Sequence, residues 1–415
     1  MVMEASLAQF DDSNPLHKAY EGLRVLDLSQ GIAGPYCALM LQQMGAVVTK
    51  AEPLYGDWGR TMGVPKAGFS AIAVAFNRGK RSIALDIQHA AGREVVHRLA
   101  EQADVVVQSF RPGVADRLGV GYEALRRINP RIVYASISGF GLSGPYGDRP
   151  GTDSVVQALT GLMTANCGPD GAPQRVKPFI GDLSCGVYAA NAIGAALFAR
   201  ERRQAGMHID VSLLATMAAL QNSSMIDHRM RAGGPALGVT YPQGIFQTAD
   251  GHMLVFAMNN AMFAALCEAI GRADWLGDAR MRTPQARIAV GEEINAGVAA
   301  ALKDHSTAYW CECFRARDVL YGEVKDYDQF LADEHVRHLG LIEEFQQPGL
   351  GGLPFADLPG VQPGVRDPAQ RAPVIGEHTL AVLKELAYTQ AQVERLVQEG
   401  VIAETADAPA YAASN

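Results

Sequence analysis

The chain is short of charge, of cysteine and of any strongly basic stretch, and each shortage narrows what it does. Charged residues make up 19% of the 415, and they balance to a net charge of -8. That sign argues against a nucleic-acid surface, which needs clustered lysine and arginine. The six cysteines are Cys37, Cys167, Cys185, Cys267, Cys311 and Cys313, and only the last two stand close together, as C-x-C. With no second pair at zinc-ligand spacing, no metal is expected, and the thiols read as reduced groups of a cytoplasmic protein. Residues 1–14 carry Glu4, Asp11 and Asp12 and lack the basic-then-apolar order of a secretion signal. The nearest thing to a membrane span, 183–199, is short and diluted by Ser184, Asn191 and glycines. It reads as a buried helix, with no membrane partner. A G-x-G-x-x-G fingerprint is missing as well, so neither nicotinamide nor flavin is expected, even with Glu52 placed where a ribose-binding acid would stand.

What is present is an ordinary globular composition, 48% hydrophobic, with length enough for more than one domain. Leu23–Leu28 reads as a strand, Tyr36–Met44 as a helix entered through Pro35, and Ala46–Glu52 as a second strand. This is a βαβ unit and predicts a parallel sheet. The alternation continues with strands over 81–85, 104–108, 131–137 and 209–211 and a helix over 90–102. The 131–137 strand runs into Ser138-Gly139-Phe140-Gly141-Leu142-Ser143-Gly144-Pro145-Tyr146. That loop is either a set of tight turns or a wall for a ligand, because open α/β sheets bind beyond the carboxyl ends of their strands. A long helix capped by Ser212 runs toward Arg231, followed by a hairpin at 244–256 and helices over 261–270, 287–302 and 307–316, a smaller α+β unit. The glycine- and proline-rich 348–373 reads as an extended connection, 405–415 as a disordered tail.

The stretch that organises the rest is Phe179-Ile180-Gly181-Asp182-Leu183-Ser184-Cys185-Gly186. Asp182 reads as the N-cap of a helix walled by glycines and alanines as far as Arg200, thin enough for something bulky to come close. A helix N-terminus is expected to keep that carboxylate ionised at neutral pH. Cys185 lies one turn on, but no histidine is near in sequence to activate it, so it reads as a small buried residue.

Motifs spread over nearly the whole chain resemble those of the family III (CaiB/BaiF-type) CoA-transferases. They are Leu26-Asp27-Leu28 with Ala33-Gly34-Pro35; Asn77 through Lys80-Arg81-Ser82 to Leu85-Asp86; and Phe110-Arg111-Pro112-Gly113 with Asp116-Arg117-Leu118-Gly119. Gly139-Phe140-Gly141, Gly144-Pro145-Tyr146, Gly181-Asp182, Thr248-Ala249-Asp250-Gly251 and Gly376-Glu377-His378-Thr379 continue the series in the same order. The resemblance implies an α/β fold: a Rossmann-like large domain built from 1–215 and 336–415, a smaller α+β domain within 216–335, and an interlocked homodimer. It implies that Asp182 attacks an acyl-CoA thioester and becomes an aspartyl-CoA thioester, with Asp153 in support; Asp153 also reads as the N-cap of a helix over 154–162. Coenzyme A would lie against Gln30, Ile32, Ala33, Leu85, Phe110 and Val114, with Arg117 near its phosphates and Lys80, Arg81 and Arg111 as further neighbours. Gln88 stands where many relatives carry lysine.

Two rivals share that fold. A racemase of α-methylacyl-CoA type pairs the aspartate with a histidine in a Gly-His-Asp run, and here the run is Gly151-Thr152-Asp153. Threonine has no imidazole to move a proton, which disfavours racemisation. A non-catalytic acyl-CoA-binding relative is the other, opposed by the retained Gly181-Asp182. The glycine-repeat loop of formyl-CoA transferase has no counterpart between Arg231 and Gly244, so a dicarboxylate or hydroxyacid other than oxalate is expected, with Arg60, Arg175 or Lys177 as its cation partner.

Overall fold

Three valines and a glutamine, Val105–Gln108, are buried at every position, as a strand covered on both faces must be. The structure is a computed structural model that describes residues 15–168, 170–232, 238, 240–361 and 370–403. The expected signal-free start and the tail from Thr405 lie outside the described residues. Six strands form one sheet: β1 (Arg24–Asp27), β2 (Val47–Glu52), β3 (Arg81–Ala84), β4 (Val105–Gln108), β5 (Val133–Ser138) and β6 (Met207–Ser212). Their order is β3-β2-β1-β4-β5-β6, and every pair is parallel. The chain therefore winds outward one way from β1 and the other way from β4. Loops leaving the carboxyl ends of these two neighbours part company and open a crevice between them.

Successive residues of each strand serve opposite faces. Val25, Val105 and Val107 join a core made by the helices Ala33–Gln43 and Ile180–Arg203, through Cys37, Leu41, Ala189, Ile193 and Ala196. Leu26, Ile83 and Val106 join the other, with Val95 and Val96 of the helix Ala90–Gln102 and Val382 of the helix Thr379–Glu385. The returning C-terminal segment is fastened to β3: the Gly376 N–H donates to Ser82 Oγ at 2.9 Å and the Ala84 N–H to Thr379 Oγ1 at 3.2 Å. The smallness of the long helix 180–203 serves packing. A Cβ on Gly186 would stand 2.9 Å from the Ala33 carbonyl oxygen and 3.0 Å from the Tyr36 ring, so it is the helix Ala33–Gln43 that approaches there. By length and composition this helix would also span a membrane, yet its Ala189, Ile193 and Leu197 side is buried in the core.

The chain divides into Met1–Asn222 with Gly340–Asn415, and Ser223–Leu339. In the second unit β7 (Gln243–Gln247) and β8 (His252–Phe256) form the hairpin, and β9 (Leu320–Glu323), which carries no strand signal of its own, pairs antiparallel with β8. The helices Asn260–Ala269, Gly291–Leu302 and Thr307–Arg315 close around Phe263, Trp275, Ile294 and Phe314.

Three expectations need correction. The helix capped by Ser212 ends at Leu220, and a second one starts at Asn222. The 287–302 helix is two, Pro284–Ile288 and Gly291–Leu302. The connection starting at Pro348 is half hairpin: β10 (Ile342–Gln347) and β11 (Gly351–Ala356) pair antiparallel. Alternate residues Phe345, Leu353 and Phe355 pack with Phe69 and Val74, and the Arg78 guanidinium lies 4.5 Å and 4.8 Å from the two phenylalanine rings.

Candidate active site

A cavity of about 470 Å³ occupies the crevice at the carboxyl ends of β1, β4 and β5. The loop after β1 contributes Gln30, Ile32 and Ala33, the loop after β4 Ser109, Phe110 and Arg111, and the loop after β5 Ser138, Gly139, Phe140 and Arg149. The glycine-rich segment is thus a wall of the cavity. Asp182 reaches it from the long helix and Thr152 from the segment before the helix Asp153–Leu159. A second cavity of about 450 Å³, lined by Leu85, Gln88 and Leu118 among others, shares Gln30, Phe110 and Val114 with the first. The two adjoin, as a long substrate with a reacting end and a nucleotide end requires.

Asp182 is not the helix cap. The helix begins at Ile180 with Phe179 at the cap position, so Asp182 stands in its first turn. The capping is done from outside: Asp153, 3% exposed, accepts the Gly181 N–H on Oδ1 at 2.7 Å and Gln157 Nε2 on Oδ2 at 2.7 Å. A Cβ on Gly181 would sit 2.9 Å from that same Oδ1, so only glycine lets the carboxylate reach the backbone. Asp153 is itself the first residue of its helix, with Thr152 at the cap. Asp182 is partly buried, and among the described residues no donor bonds its carboxylate. Burial, and after it the neighbouring Asp153, pushes its pKa up to about 7. The expected stabilisation of the ionised form by the helix end is outweighed, because desolvation and a like charge both disfavour the anion. Cys185, buried beside Thr216, is pushed up to about 12, mainly by burial, and is inert.

Beneath the loops lies a layer of buried charge. Asp27 pairs with Lys80 at 2.8 Å, Lys50 with Asp57 at 2.9 Å and Glu52 with Arg60 at 2.7 Å. Burial works against Asp27, yet Lys80 and Lys50 hold its carboxyl below the usual range, and Arg60 does the same for Glu52. These pairs position the cavity loop: Lys50 Nζ donates to the Ser29 carbonyl at 2.7 Å and the Gly31 N–H to Asp57 Oδ1 at 2.8 Å. The Gln30 N–H is tied to Ser109 Oγ at 2.9 Å, across the switch between β1 and β4.

Of the expected ligand residues, Gln30, Ile32, Ala33, Phe110 and Val114 come together at the first cavity and Leu85 at the second. Arg117 lines neither; it is exposed at the end of the short helix Val114–Arg117. Lys80 is fully buried on Asp27, and Arg81 is held in a bidentate pair by Glu385, so neither is free for a phosphate. Arg60 is likewise committed to Glu52, and the candidate ribose acid Glu52 with it. Arg175 and Lys177 are exposed and outside the cavity lining. Arg149 and Trp58 line the cavity without having been singled out in the sequence. Each follows a strand's carboxyl end by several residues, and in the chain Arg149 stands only four before Asp153.

A parallel sheet ordered this way, with two adjoining cavities and a desolvated carboxylate at its switch point, defines an α/β protein with a ligand site beyond its strand ends. The sequence pattern of CoA-transferase family III matches residues 20–379, and the chain belongs to that family. It is 33% identical over 399 residues to a mouse (Mus musculus) succinyl-CoA:glutarate CoA-transferase, covering 93% of this chain and 90% of that one. It is 35% identical over 385 residues to the acetyl-CoA:oxalate CoA-transferase of Acetobacter aceti, covering 90% and 97%. A crystal structure of a CaiB/BaiF family protein from Brucella suis superposes with a TM-score of 0.80 at 31% identity, over 89% of this chain and all of that one. The protein is a transferase whose substrates are CoA thioesters.

Proposed function

We propose that the chain moves CoA from an acyl-CoA to a free carboxylic acid through covalent intermediates on Asp182. One Asp182 oxygen attacks the thioester carbonyl carbon, the C–S bond breaks, and CoA thiolate leaves a mixed anhydride. The thiolate then attacks the aspartyl carbonyl of that anhydride, releasing the donor acid as carboxylate and leaving an aspartyl-CoA thioester. The acceptor carboxylate attacks this thioester, thiolate departs again, and it finally takes the new acyl group and frees Asp182. Four acyl transfers return the enzyme unchanged, with no net proton or electron to supply. First-turn N–H groups of the helix Ala33–Gln43, whose cap residue Ile32 offers no side-chain bond, are donors for the developing oxyanion.

The observation that carries this reading is a partly buried carboxylate, unbonded among the described residues and with its pKa raised to about 7, that lines a cavity of about 470 Å³. An oxygen stripped of hydrogen bonds and made more basic is a better nucleophile than an ordinary solvated aspartate. Racemisation needs a second proton carrier, and among the described residues no histidine lines either cavity. With relatives that work on glutarate and on oxalate, we take the exchanged acids to be short dicarboxylates, with succinyl-CoA as donor. The homodimer is part of the same reading, supported by the exposed Val187, Tyr188 and Phe198 on the long helix. Incubation with a panel of acyl-CoAs, followed by hydroxylamine and mass analysis, tests the chemistry: a hydroxamate on the Asp182 peptide is expected. Deuterium entering the α-carbon without acyl exchange would overturn it in favour of the racemase.

A further inference from the structure

Among the described residues three charged side chains line the first cavity, and only one is an acid: Asp182, Arg111 and Arg149. Neither arginine has an ion pair among the described residues, unlike Arg60 and Lys80, which the buried charge layer consumes. The two differ in position. Arg111 adjoins Phe110, which belongs to both cavities and so marks the route toward the nucleotide end. Arg149 lies on the segment that continues through Gly151 and Thr152 into Asp153, the residue bonded to the Gly181 N–H next to Asp182. Its guanidinium lies 5.0 Å from the Tyr146 ring and 5.9 Å from the Phe140 ring. Two aromatic faces orient a planar cation and leave its N–H edge for an anion.

We infer that Arg149 is the specificity-determining residue for the acyl end, pairing with the distal carboxylate of a dicarboxylic substrate while its other carboxylate reacts at Asp182. This deepens, and rests on, the transfer reaction proposed above. A guanidinium gripping a carboxylate through two parallel hydrogen bonds recognises a planar anion that a monocarboxylic acid of equal length lacks. The loop after β5 thereby reads the acyl group, and the loops after β1 and β4 hold the carrier.

The test compares wild type, Arg149→Gln and Arg149→Lys with acetyl-CoA as donor and glutarate or butyrate as acceptor. Wild type is expected to prefer glutarate. In Arg149→Gln the KM for glutarate should rise roughly 10- to 150-fold, the worth of a charged hydrogen bond, with the KM values for butyrate and acetyl-CoA unmoved and Arg149→Lys in between. Hydroxylamine trapping of Arg149→Gln with acetyl-CoA shows whether its site is still assembled, and a hydroxamate at Asp182 is expected. Equal losses for glutarate and butyrate, a raised KM for acetyl-CoA, or a wild type indifferent to the second carboxylate would overturn the assignment. A wild type that yields no hydroxamate at Asp182 would instead bring down the transfer mechanism beneath it.

Discussion

Replacing Asp182 by asparagine should abolish transfer and at the same time make the protein more stable, increasingly so as the pH rises. The carboxyl goes from an ordinary 3.8 to about 7 on folding, chiefly because burial penalises the anion. Below pH 3.8 the group is neutral in both states and costs nothing. Between 3.8 and 7 the unfolded chain ionises while the folded one holds its proton, so stability falls as pH rises; above 7 the cost is constant. Three pKa steps at 1.36 kcal/mol each amount to about 4 kcal/mol, an upper figure for the penalty at pH 8. An amide has the size of the neutral acid and never ionises. Thermal or urea unfolding of Asp182→Asn and wild type at pH 5 and pH 8 measures the difference. A gain near 1–2 kcal/mol at pH 5 that grows to about 4 kcal/mol at pH 8 is expected. A variant no more stable than wild type at pH 8, or a gain independent of pH, would refute the claim that this acid is held at the expense of the fold.

Asp153→Asn removes the neighbouring negative charge but keeps an oxygen for the Gly181 N–H; the acid limb of kcat/KM, set near pH 7 by Asp182, should move to lower pH, as a pH–rate profile would show. Gly186→Ala places a Cβ 2.9 Å from the Ala33 carbonyl oxygen and should cost about 1–3 kcal/mol in urea unfolding, since two helix backbones must separate. Glu52→Gln leaves Arg60 without its partner at 5% exposure and should cost about 3–5 kcal/mol by the same measurement.

Much of the large unit was legible in order and type. The valine run at 105–107 and the βαβ pattern ahead of it announce a parallel sheet, because strands buried on both faces need no polar alternation. The small unit's third strand, Leu320–Glu323, was not legible: it exists because β8 offers an edge, and its own composition carries little preference. The 342–356 hairpin hid behind its glycines and prolines until Phe345 and Phe355 found Arg78 and Phe69.

The candidate site divides along the same line. The glycine-rich loop after the fifth strand was legible as a cavity wall from the order of the strands, and Asp182, which local sequence alone reads as a helix cap, was singled out by the family motifs around it. Which charges are spent and which are free is not. Lys80, Arg60 and Glu52 look like solvent-facing ligand groups along the chain, and a layer of ion pairs between residues as far apart as Asp27 and Lys80 removes them from the cavity. Arg149 looks like any loop arginine along the chain, and it lines the same cavity as the acid. A side chain's type is local, but its hydration and its partner are properties of the packed interior, and these decide whether a carboxylate rests or reacts.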